Sequence, residues 1–229
     1  MGSNSFSPTA WSNYFQIKED VQIDQDTFRI YRQGYEGVLL FCIHGGGFSG
    51  LSWASFCKNI TAEVKCQCMA VDVRGHGDTF CSDESDLSID KLTNDIIEVI
   101  LSIFPTEAPP IILIGHSMGG AIAINVAALK RIPSLHAVCV IDVVEGSAMQ
   151  TLNTMKSFIL TRPSSFKTIS EGILWSHKSN QIRNLKSARV SFPGQIKCTS
   201  TNQTATQILE RTIADSSIPK DELNVPDKV

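Results

Sequence analysis

Five consecutive residues, Gly115-His116-Ser117-Met118-Gly119, form a G-x-S-x-G that directly follows the apolar run Ile111–Ile114 and opens the Ala- and Ile-rich stretch Met118–Leu129. A strand-to-helix turn this tight needs small residues beside the serine, hence Gly115, Gly119 and Gly120. It lifts a hydroxyl above a sheet edge, where the first N–H groups of the following helix face developing negative charge. Such a serine attacks an acyl carbon, and the tetrahedral oxyanion that results wants two backbone donors. One is expected from Met118, the residue after the nucleophile. The other is expected from the run His44-Gly45-Gly46-Gly47, at Gly46 or Gly47, with His44 orienting the loop rather than transferring protons.

A serine nucleophile also needs a base, and the base an orienting carboxylate. Asp142 ends the next apolar run, 25 positions after Ser117, and so reaches the same sheet edge. A carboxylate at the carboxyl end of a parallel strand is well placed for catalysis. Glu145 is the reserve acid. Asp72, Arg74 and His76, in Asp72-Val73-Arg74-Gly75-His76-Gly77, are read instead as a hydrogen-bonded turn with an architectural role. No histidine fills the place of the base. His116 adjoins the serine, His136 starts a strand at the opposite end, and His177 lies in a helical stretch with no strand before it. The triad base is left unassigned, with His177, the one histidine beyond Asp142, as the remaining candidate.

The elements that must position these groups follow from hydrophobic periodicity. Continuous apolar runs at Gly37–Ile43, Cys68–Val73, Ile111–Ile114 and Ala137–Ile141 mark strands buried on both faces, as in parallel sheets. Helical spacing separates them at Trp53–Val64, at Ile89–Ile103 (capped by Ser88 and stopped by Pro105) and at Met118–Leu129. A hairpin pairs Val21–Ile23 with Thr27–Tyr31. The alternation predicts an α/β architecture, a mostly parallel central sheet with helices on both faces. Four regions are expected: an N-terminal extension over 1–20, the core over 21–147, a helical lid insertion over 148–197, and a polar, poorly ordered tail over 198–229.

Of 229 residues, 42% are hydrophobic and 19% charged, with a formal net charge of −3, which excludes the basic excess of a nucleic-acid binder. No apolar stretch approaches the roughly 20 residues of a membrane span. Myristoylation at Gly2 is rejected because Phe6 stands where Ser or Thr is needed. Seven irregularly spaced cysteines and no apolar leader favour a reducing compartment over a disulfide framework. Cys66-x-Cys68 lacks a second ligand pair, so buried strand thiols are expected there and no metal. Between Lys156 and Lys197 eight basic residues face the single acid Glu171, either a solvated helical face or a dock for an acidic partner.

Beyond the elbow, which alone names only a superfamily, the chain resembles the protein phosphatase methylesterases. These are α/β-hydrolases that remove the methyl ester from the C-terminal leucine of the protein phosphatase 2A catalytic subunit. The resemblance runs from Phe6-Ser7-Pro8 to about Lys197 and includes Leu51-Ser52-Trp53-Ala54, Ile141-Asp142-Val143-Val144-Glu145-Gly146, Gln181–Leu185 and Ser187–Ser191. It implies Ser117 as nucleophile and Asp142 as acid, no cofactor, and an insertion that helps bind the phosphatase and its methylated tail. It also implies a cytoplasmic location, with the nucleus as an alternative. In the family an acidic loop, closing strands and helices that deliver the histidine come next; here those closing strands are missing and Val229 ends the chain. The expected function is thus a serine carboxylesterase impaired in this chain, as a fragment, a truncated isoform or a shortened gene product. The alternatives are a non-catalytic phosphatase-binding module and a general small-ester hydrolase.

Overall fold

The computed structural model describes residues 3–143 and 162–214. Glu145, the first part of the expected lid and residues 215–229 lie outside the described residues. Six strands form one sheet: β1 (Ile17–Ile23), β2 (Asp26–Gln33), β3 (Val38–Ile43), β4 (Cys66–Val71), β5 (Ile111–His116) and β6 (Leu135–Ile141). Their order is β1-β2-β4-β3-β5-β6, with the β1–β2 hairpin and the β2–β4 pair antiparallel and the remaining pairs parallel. Three helices link the parallel strands: α1 (Ala54–Glu63), α2 (Ile89–Ile103) and α3 (Met118–Leu129). Three more follow: α4 (Ile169–Lys178), α5 (Leu185–Ser191) and α6 (Ala205–Ala214).

Strand alternation divides the core between the two faces of the sheet. Leu39, Phe41 and Ile43 pack with Ile96 and Ile100 of α2 and with Ile122 and Val126 of α3. Cys42, Cys68 and Ala70 face the other way, against Ala54 and Cys57 of α1 and Val190 of α5. Helices therefore cover both faces, as the unbroken apolar runs require. Cys66 and Cys68 are free, buried thiols of β4, and burial pushes the Cys66 thiol up. A third cluster, built on Ile173, Phe192 and Ile196, holds α4, α5 and α6 together. Among the described residues β6 has no neighbour on its outer side, and Val140 and Ile141 there, with Ile124 and Leu129 of α3, are exposed.

Two expectations are corrected. The hairpin starts at Ile17 rather than Val21, so residues 17–20 belong to the core sheet: Ile17 through Ile23 pair in register with Arg32 through Asp26. The charged run Lys18-Glu19-Asp20 hid this because both faces of that edge strand are partly exposed, and its charges find partners such as Arg32 and Arg29. The start of the expected polar tail is also structured. Thr204 opens α6, whose Ala205 and Thr206 are buried and whose Ile208 packs on the third cluster.

One buried cation ties the sheet edge to its flanking helix. Arg74, about 1% exposed, donates from Nε and Nη2 to the Asp95 carboxylate of α2 at 2.7 and 2.9 Å, reaches Asp26 at the hairpin turn, and donates to the Asp83 carbonyl at 2.6 Å. Removing one partner of such a buried set strands the others without a counter-charge. Arg74→Met is expected to lower unfolding free energy by about 3–5 kcal/mol, read as a shift in the urea midpoint; a shift equivalent to under about 1 kcal/mol would show that the network does not hold the hairpin.

Candidate active site

β5 ends at His116 and α3 begins at Met118, leaving one residue, Ser117, to make the whole reversal. Its backbone takes φ 50° and ψ −118°, a strained conformation for a non-glycine residue. Three contacts hold it. The Ser117 N–H donates to the Ile141 carbonyl at 2.9 Å, and the Ser117 carbonyl accepts from Gly120 and Ala121 N–H at 2.9 and 3.2 Å. The glycines have a steric reason as well. A Cβ on Gly115 would overlap the Gly119 carbonyl oxygen, and one on Gly119 would overlap the Ile43 carbonyl and stand 2.6 Å from that of His44.

The glycine run after β3 faces this turn. A Cβ on Gly46 would stand 3.7 Å from Met118 Sδ, so the two sites named from sequence are neighbours. The N–H groups of Met118 and Gly119 open α3 and have no carbonyl one turn earlier to bond. Gly47 differs: at φ 75° its N–H donates to His76 Nε2 at 2.9 Å. Its donor is committed, and Gly46 N–H has no acceptor among the described residues.

Two imidazoles pin this run to the turn after β4. His44 Nδ1–H donates to the Gly45 carbonyl at 2.7 Å, and its Nε2 accepts the Val73 N–H at 3.0 Å. That pattern requires the neutral ring, and burial, followed by the proximity of His76, holds the His44 pKa down to about 3. His76 Nδ1–H donates to the Arg74 carbonyl at 2.8 Å while Nε2 takes Gly47. Asp72 completes the turn: fully buried, it accepts from Gly50 N–H at 2.6 Å and Asp78 N–H at 2.8 Å. Burial and the neighbouring Asp78 carboxylate push it up to about 7.

Asp142 follows β6, at φ 54° and exposed. β5 and β6 pair with His116 opposite Ile141, which sets Ser117 and Asp142 side by side at the carboxyl ends of adjacent strands. All five histidines are among the described residues. His44 and His76 are committed to the loop, His136 lies at the far end of β6 with Nδ1 against the Ser134 carbonyl, and His177 of α4 faces the Ile182 carbonyl at 3.4 Å. His116 packs edge-on against Phe48, with Nδ1 2.8 Å from where a Gly45 Cβ would be.

A cavity of about 320 Å³ opens beside the elbow, its wall including His116 and Ile141, the residues just before Ser117 and Asp142. Gly45, Phe48, Trp53 and Gln181 also line it. Sequence reasoning missed Phe48 and Trp53 as lining residues; their only signal was aromatic character soon after a glycine run. Among the described residues no group of three or more His, Cys, Asp or Glu side chains is arranged to hold a metal ion.

A sheet of this order with a serine elbow between β5 and α3 defines an α/β hydrolase. The alpha/beta hydrolase family model matches residues 39–196, and the chain belongs to that family. The more particular likeness is to protein phosphatase methylesterase 1. The human protein of that name is 49% identical over 196 residues, 84% of this chain and 51% of that protein, and the mouse protein is likewise 49% identical. The Caenorhabditis elegans protein called probable protein phosphatase methylesterase 1 is 47% identical over 83% of this chain and 53% of its own length. The chain thus spans about half the length of the curated relatives it matches. Among solved structures, E-2-(acetamidomethylene)succinate hydrolase superposes with a TM-score of 0.67 at 18% identity, covering 87% of this chain and 74% of that one. The curacin-pathway thioesterase domain gives 0.59 at 20% identity, over 76% and 65% of the two chains.

Gly119→Ala drives a methyl group into two carbonyl oxygens and is expected to cost about 3 kcal/mol or more in urea unfolding; a neutral effect would show that the turn relaxes freely. His44 has a pH signature. With a folded pKa near 3 against about 6.5 unfolded, only the unfolded chain takes up the proton below about pH 6.5, so stability present at pH 7 is lost as pH falls. The expected loss is about 2 kcal/mol by pH 5. The raised carboxyl of Asp72 works in the opposite sense, but it is common to parent and variant. The stability gap between the parent and His44→Gln should therefore narrow from pH 7 to pH 5, and a pH-independent gap would refute the neutral buried ring.

Proposed function

We infer that this chain carries the serine-bearing part of a carboxylesterase that removes a methyl ester from the C-terminal leucine of the protein phosphatase 2A catalytic subunit. The observation that carries the reading is the strained Ser117 turn, bonded through its own N–H to Ile141, the last residue of β6 and the one before Asp142. The relatives' name, protein phosphatase methylesterase 1, supports the ester class and the phosphatase partner. In this reading Ser117 Oγ adds to the ester carbonyl carbon. The oxyanion lies between Met118 N–H and Gly46 N–H, methanol leaves, and water then releases the acid from the acyl-serine. Asp142 serves as the triad acid. Gly47 is set aside as donor because His76 holds its N–H.

The serine proton needs an acceptor, and none of the five histidines is placed as Asp142-oriented base. In this reading the chain is therefore impaired. Adding the missing group from solution tests this. With a methyl-ester peptide as substrate, turnover should be at least about 1,000-fold below that of a histidine-bearing relative, rise with added imidazole, and lose that rise in Ser117→Ala. Equal imidazole-dependent rates for parent and Ser117→Ala would remove the nucleophile and the reading with it. The placement of the histidines favours a second reading, a module that holds the phosphatase without demethylating it. Stoichiometric co-purification without turnover, even with imidazole, would select it.

A further inference from the structure

Phe48, which lines the ester cavity, also lines a second one, of about 390 Å³, whose wall includes Gly47, His76, Arg162, Gln195 and Lys197. Its chemistry is unlike that of the first. Arg162 Nε and Nη2 are buried and have no hydrogen-bond partner among the described residues, and the same holds for Gln195 Nε2. The Arg162 guanidinium packs over the Trp175 ring at 6.0 Å, and burial with no offsetting carboxylate lowers its pKa. Lys197 meets Glu84 only at 4.0 Å, and His76 already uses both ring nitrogens. Buried N–H donors without acceptors are costly, and a guanidinium fork fits two oxygens of one anion.

An amide pair links the walls of the two cavities. Gln181, in the wall of the ester cavity, donates from Nε2 to Gln195 Oε1 at 3.3 Å, and Gln195, whose Nε2 has no partner among the described residues, lines the second cavity. Phe48 lines both. Shared lining by Phe48 and the Gln181–Gln195 pair put the second cavity beside the ester cavity, where a peptide extending from an ester held at Ser117 could reach it.

We propose that the cavity formed by Arg162, Gln195 and Lys197 is an anion subsite that takes a carboxylate side chain of the substrate peptide, upstream of its esterified end. The assignment rests on the esterase reading and adds to it the preference for an acidic peptide. Arg162 supplies the paired donors, Gln195 Nε2 a third, and Lys197 the longer-range attraction. All three belong to recognition, not to the bond-breaking step.

The slow turnover expected of this chain makes equilibrium binding the measurement. A set of fluorescent C-terminal methyl-ester peptides, with one aspartate moved through successive upstream positions and asparagine counterparts, would be titrated by anisotropy. One register should bind about tenfold more tightly with aspartate than with asparagine. Arg162→Gln should erase that difference, and Lys197→Gln, on a partly exposed side chain, should reduce it. No aspartate preference at any register, or a preference that survives Arg162→Gln, overturns the proposal. Inorganic phosphate separates the sources of the anion. Competition with the aspartate peptide alone supports the subsite. Arg162-dependent thermal stabilisation by phosphate with no aspartate preference overturns it in favour of a free-anion site. If Ser117→Ala removes no imidazole-dependent turnover, the esterase reading fails on its own, whatever the peptides show.

Discussion

The architecture is organised around a backbone that reverses direction in one residue. At Ser117 the chain passes from β5 to α3 with φ at 50°, and the cost of that conformation is met by its surroundings. The Ile141 carbonyl fixes the N–H from one side, and the close stacking of Gly115, Gly119 and the end of β3 leaves no room for a wider turn. Because the bond to Ile141 runs to the strand that delivers Asp142, the same interaction that strains the serine also sets the spacing between the two candidate catalytic groups. Strand order, glycine placement and side-chain position are consequences of a single close approach.

The second organising element is polar. The loop after β3 is held by partners from the turn after β4. His44 takes Val73, His76 takes Gly47, and Asp72 takes Gly50. Neutral imidazoles serve this role because each has one donor and one acceptor nitrogen, so a carbonyl and an N–H are satisfied together without burying a charge. The arrangement leaves the Gly46 N–H, opposite Met118, without an acceptor among the described residues. Binding of a developing oxyanion there would need no reorganisation of the loop, the condition under which such donors are most effective.

Much of this was legible in the residues. The parallel strands read clearly because burial on both faces forces unbroken apolar runs, and the elbow read clearly because few residues fit a one-residue reversal. The start of β1 did not, since a half-exposed edge strand can carry Lys18, Glu19 and Asp20 without penalty. The helix α6 was hidden by its Ser- and Thr-rich approach; only its contact with the cluster around Ile196 makes it worth forming. The division of labour between Gly46 and Gly47 was also unreadable. It depends on His76, 29 positions from Gly47 in sequence, reaching back across the sheet edge. Local pattern shows where a donor run stands, and only tertiary contact shows which donor is spent.

The outer rim of β6 carries a set of instructions of its own. Among the described residues its backbone offers an unmatched ladder, and its flanks show Val140 and Ile141 together with Ile124 and Leu129 of the helix beside it. Whatever polypeptide lies along that rim must be greasy above and below the sheet plane at once, because alternate residues of β6 stand on opposite sides. It must also stop short of Asp142, whose left-handed backbone ends the ladder there. A short, doubly apolar strand meets that specification, and an amphipathic hairpin arm like β1 does not.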